Sequence, residues 1–152
     1  MPRVENAITI KADVETVYRT ARDVERFPEF MPDVKSLRVL ERSEDGRRTV
    51  VEWVGLIPEF KITVKWVEED RWDDTAHTCD FHLVRGDFKS YGGRWEFIPN
   101  PDGTRFTSIV DYEYDIPLIG PLIKGLIFKK MGENVDRLQA ALKERVEGRR
   151  KG

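Results

Sequence analysis

The 152-residue chain predicts an α+β domain: a curved antiparallel sheet of seven strands around a long C-terminal helix, with two short helices after the first strand. Three observations lead there. One strand pattern and one capped helix open the chain. A long middle stretch from Val34 to Asp115 is rich in β-branched and aromatic residues and broken by turn signals. The last third then changes to a four-residue apolar period.

Taken in order, residues 4–12 alternate through Ala7, Ile8 and Ile10 as a strand. Asp13 stands where an N-cap belongs, ahead of Val14, Val17, Tyr18 and Ala21 at helical spacing. The helix is expected to end near Val24. Residues 25–32 carry Pro28 and Pro32, which shorten any helix, while Phe27, Phe30 and Met31 give it an apolar side. Strands are then expected at 34–43, 47–56, 59–69, 76–86, 90–98 and 104–115. They are separated by Glu44-Asp45-Gly46, Ile57-Pro58-Glu59, the polar run 70–75 and Pro99-Asn100-Pro101-Asp102-Gly103. Connections this short make the strands consecutive antiparallel neighbours. Ile119, Ile123, Ile127, Met131, Val135, Leu138, Leu142 and Val146 form one helical stripe, widened by Leu118, Leu122, Leu126 and Phe128. One domain over 1–147 and a disordered basic tail over 148–152 complete the expected organisation.

Composition narrows the class. With 26 Lys+Arg against 28 Asp+Glu the net charge is −2, without the basic excess of a nucleic-acid binder. The single cysteine, Cys79, excludes an intramolecular disulfide and fits a reducing compartment. The N-terminus shows no signal-peptide pattern and no apolar run reaches membrane-spanning length, so a cytoplasmic location is expected.

The stretch Asp23-Val24-Glu25-Arg26-Phe27-Pro28-Glu29-Phe30-Met31-Pro32, with Gly93-Arg94-Trp95-Glu96-Phe97-Ile98-Pro99 and Val110-Asp111-Tyr112-Glu113-Tyr114, resembles the START-like superfamily. Within it, the likeness is to the polyketide cyclase/dehydrase and coenzyme Q-binding branch. The resemblance covers nearly the whole chain. It implies the helix-grip fold and a cavity for a lipid, an isoprenoid quinone or a polyketide, and it supplies no catalytic signature.

Strand alternation assigns faces. Phe60, Ile62, Val64 and Trp66 share one row; Phe81 and Leu83 share another with Cys79, and Arg85 continues it. Tyr91 and Trp95 face the same way on the next strand, as do Ser108, Tyr112 and Tyr114 on the last, and Ile123, Ile127 and Met131 close the space from the helix. These fifteen residues are the expected ligand-binding cavity. Arg85 either donates a bidentate hydrogen bond to a ligand oxygen or, near its strand end, reaches solvent or Asp87. A bulge would reverse such assignments.

Other clusters give less. Asp80 and His82 point away from Cys79 by parity, so no metal site is expected and no cofactor is implied. Glu68-Glu69-Asp70 and Asp73-Asp74 read as a solvated hairpin end, since paired carboxylates do acid–base work only when buried near a substrate. The apolar run 116–123, followed by Lys124, Lys129 and Lys130, either closes the cavity mouth or makes transient contact with a membrane surface. The leading expectation is a non-catalytic carrier of one apolar molecule, released by movement around Ile57-Pro58 or 116–121. The alternatives are an aromatase/cyclase, for which the resemblance implies Arg85 and Tyr112 as polar pocket residues, and an interaction domain gripping a partner's apolar segment.

Overall fold

In a computed structural model, residues 2–31, 33–57, 61–114 and 121–151 are described, without the side chains of Ile57, Ile62, Tyr114, Pro121, Ile123 and residues 149–151. The chain runs β1 (Arg3–Ile10), α1 (Val14–Arg22), a 3-10 helix (Val24–Glu29), β2 (Val34–Arg42), β3 (Arg48–Ile57), β4 (Ile62–Asp73), β5 (Thr78–Gly86), β6 (Phe88–Asn100), β7 (Gly103–Tyr114) and α2 (Pro121–Lys151). Asp13 caps α1 as its position suggests, its carboxylate accepting from the Thr16 backbone N–H at 3.1 Å. The seven strands form one antiparallel sheet in the order β1-β7-β6-β5-β4-β3-β2. Six of them follow the meander expected from short connections. β1 joins the far edge beside the last strand, a long-range pairing that no local signal announces. The curved sheet and terminal helix form the helix-grip arrangement.

Several boundaries differ from expectation, and one matters for the site. β4 continues to Asp73, through residues expected to form a turn: it stays paired with β3 as far as Arg71 and with β5 as far as Asp73, and Trp72 is buried. α2 is helical through Lys151, so residues 148–151 of the expected tail continue the helix. Among the described residues no helix is long and apolar enough to cross a membrane.

α2 is held to the sheet along its C-terminal half. Leu142 and Val146 are buried, and Gln139, also buried, donates from Nε2 to the backbone oxygens of Asn6 at 3.3 Å and Phe106 at 3.2 Å. Lys143 reaches the Thr9 carbonyl at 3.1 Å. Nearer the N-terminus, Met131, Val135 and Leu138 are only half-buried, and Leu122 and Phe128 are exposed. The helix is therefore clamped at one end and stands off the sheet at the other. Large aromatic side chains on the concave face keep that gap from closing.

Candidate functional site

Strand register builds the floor of the gap in rows. Trp53 lies directly opposite Trp66 across β3 and β4, and their indoles stack at 5.6 Å with planes 6° apart. The next rows run Asp70–Phe81–Gly93–Val110 and Trp72–Cys79–Trp95–Ser108 from β4 to β7. Gly93 is required in its row. A Cβ there would come within 2.0 Å of the Ile109 carbonyl oxygen and 2.9 Å of the Phe81 ring, so only glycine lets that ring lie across β6.

Above these rows lies a cavity of about 120 Å³, where one water needs roughly 10–15 Å³. All four tryptophans line it, with Val64, Phe81, Phe88, Tyr91 and Val110 from the sheet and Met131, Val135 and Leu138 from α2. Val24, Met31 and Val34 close the end beside the 3-10 helix. At the partly exposed rim Arg137 donates to Asp33 at 2.5 Å and to Asn134 at 2.5 Å, tying α2 to the start of β2. The aromatic interior is thus hollow rather than solid.

Of the fifteen expected cavity residues, Val64, Trp66, Phe81, Tyr91, Trp95, Ser108 and Met131 line this space. Tyr112 and Ile127 are buried in the surrounding core, and Leu83 is half-buried against it. Phe60 lies outside the described residues, as do the side chains of Ile62, Tyr114 and Ile123. Of the expected gating segments around Ile57-Pro58 and 116–121, Pro58 and residues 116–120 lie outside them too.

Arg85 is a correction. β5 carries a bulge: Glu68 pairs with Leu83, but Val67 pairs with Arg85, so Val84 is the extra residue. The bulge shifts the phase by one, puts Arg85 on the face of Val67 and leaves it exposed. It lies outside the cavity lining. Asp87, its alternative partner, instead accepts from the Lys65 backbone N–H at 2.8 Å.

The second correction concerns the carboxylates. Glu68 and Asp70, expected at a solvated hairpin end, are 4% and 2% exposed and line the cavity. Simple continuation of the inward row Val64–Trp66 through position 72 reaches both. The signal was masked because an acidic triplet reads as a turn. Glu69, between them, faces the other way and pairs with Arg48 at 2.9 Å and Arg71 at 2.8 Å. Asp73, at the true hairpin end, accepts from the Thr75 and Ala76 backbone at 2.9 Å each.

The pair has a defined electrostatic state. Glu68 accepts from the Trp66 indole N–H at 2.8 Å and shares a hydrogen bond with Asp70. Burial pushes the Glu68 carboxyl above the usual carboxylate range, and burial together with the Glu68 charge pushes Asp70 further up. Two such carboxyls titrate as a unit and hold a proton longer than ordinary acids. Burial beside them also raises the Tyr91 phenol and the Cys79 thiol, keeping both neutral. Asp70 Oδ1, Ser108 Oγ and Trp53 Nε1 are buried and find no hydrogen-bond partner among the described residues. All three belong to side chains that line the cavity. His77, Asp80 and His82 do not converge with Cys79: His77 pairs with Glu15 at 2.9 Å, Asp80 with Arg94 at 3.2 Å, and His82 is exposed.

Comparison with known proteins agrees with this architecture. The family model described as polyketide cyclase/dehydrase and lipid transport matches residues 10–139. The crystal structure of TTHA0849 from Thermus thermophilus superposes with a TM-score of 0.90 at 39% identity, covering 97% of this chain and 98% of that one. A putative polyketide cyclase from Streptomyces cyaneus is 33% identical over 110 residues, 71% of this chain and 70% of its own length. The ribosome association toxin RatA of Escherichia coli K12 is 24% identical over 136 residues, 89% of this chain and 82% of its own.

Proposed function

The chain belongs to the polyketide cyclase/dehydrase and lipid transport family, and on that premise we propose that it binds one flat, largely apolar small molecule between the sheet and α2. An isoprenoid quinone, a lipid or a polyketide-like ring system all meet the description, and the four indoles favour the flat ones. The observation that carries the reading is the hollow itself. Its wall is mainly aromatic, yet it holds three buried polar atoms with no hydrogen-bond partner among the described residues. Buried polar groups left unmatched cost about 1–3 kcal/mol each, so a molecule that meets them gains that much on binding. Burial of about 200 Å² of ligand hydrocarbon adds roughly 5 kcal/mol.

Organic extraction of the natively purified protein followed by mass spectrometry tests this. The expected result is an apolar compound near one per chain, whose return to the emptied protein quenches tryptophan emission. A clean extract, with emission unmoved by quinone, polyketide and lipid probes, refutes the carrier reading.

One observation favours a second reading, an aromatase/cyclase. Enolisation needs an acid or base within about 3 Å of the reacting atom, and the Glu68–Asp70 pair places a proton-holding carboxyl on the cavity wall. Turnover of a poly-β-ketone mimic that disappears in Asp70→Asn distinguishes catalysis from carriage.

A further inference from the structure

We propose that the Glu68–Asp70 wall selects ligands by their polar group, accepting a hydrogen-bond donor such as a phenol or enol hydroxyl and excluding carboxylates and other anions. This rests on the cavity-binding reading above and specifies which apolar molecules qualify.

The argument is geometric. Asp70 is 2% exposed and leaves Oδ1 unmatched on the cavity side of β4. Its partner Glu68 is already engaged by the Trp66 indole at 2.8 Å, so the pair offers the cavity an acceptor. Opposite in character, Trp53 Nε1 is an unmatched donor, and Ser108 Oγ can act as either. A ring that donates at one end and accepts at the other meets these atoms.

The charge balance points the same way. Among the described lining residues the sole cationic side chain is Arg137, and it is committed to Asp33 and Asn134 at the rim. Deeper in, an anion would face two buried carboxyl groups, and no cationic side chain among the described lining residues stands beside them. Such like-charge contact in a poorly solvated site is strongly unfavourable. A fatty acid head group is therefore rejected where a phenol of the same size is held.

Three two-ring probes isolate the effect: 2-naphthol, 2-methoxynaphthalene and 2-naphthoate, titrated calorimetrically into the emptied wild-type protein near pH 7. The naphthol should bind about tenfold more tightly than the methyl ether, the factor expected for one buried hydrogen bond, and the naphthoate weakest of all. In the double variant Glu68→Gln with Asp70→Asn, the naphthoate should come within about threefold of the ether, because charge repulsion is gone. If naphthoate binds the wild type as well as naphthol does, or stays excluded in the folded double variant, the proposal is wrong. Equal binding of all three probes keeps the cavity and overturns only the selectivity. No binding of any probe, the ether included, overturns the cavity reading as well. Should the double variant fail to fold, the wild-type ranking decides alone.

Discussion

Replacing Asp70 with Asn should change how stability depends on pH more than it changes stability itself. Asp70 is 2% exposed, its one described side-chain partner is another carboxyl, and one of its oxygens is unmatched. Its pKa is raised on folding by burial first and by the Glu68 charge second. A raised carboxyl binds its proton more tightly in the folded than in the unfolded chain. Its favourable contribution is complete below the ordinary carboxyl pKa near 4 and is lost as pH rises through the folded value. Wild-type stability should therefore fall from mildly acidic towards alkaline pH. Each unit of elevation costs about 1.4 kcal/mol, or roughly 3–6 °C in melting temperature for a domain of this size. Asn keeps the shape and a donor towards Glu68 but cannot ionise. The variant should match or trail the wild type near pH 5 and exceed it by about 1–3 kcal/mol near pH 9, the cost of a buried unmatched group. Urea denaturation followed by tryptophan emission from pH 5 to 9 measures both proteins. Parallel profiles would falsify the assignment of a buried, proton-sharing pair.

Two further outcomes follow from strand geometry. Arg85→Ala should leave affinity for any cavity ligand within about twofold, because the bulge turns that side chain outward; a tenfold loss by calorimetry places the guanidinium inside. Gly93→Ala should destabilise by about 3 kcal/mol or more, since the new Cβ meets backbone 2.0 Å away, and a melting curve equal to wild type contradicts the packing of Phe81 over β6.

Much of this protein is written in local pattern. The Asp13 cap, the two-residue alternation of β6 and β7, the turn at Asn100 to Gly103 and the helical period of α2 each involve neighbours in sequence, and each appears in the structure close to where the pattern places it. The hollow was also foreseeable, because one helix cannot cover a curved seven-stranded sheet lined with indoles. Seven of the eleven expected wall residues whose side chains are described line it.

What the chain could not announce depends on contacts between distant residues. The bulge opposite Val67 reverses Arg85, and a bulge is a property of two paired strands, with no signature in either one. An acidic triplet reads as solvated until a tryptophan at position 72 carries the strand past it and buries Glu68 and Asp70 together. The amino-acid order alone determined which residues alternate and which repeat every turn, because those preferences act over a few bonds. The tertiary structure decided which polar atoms lose water, because that depends on what the rest of the molecule brings over them.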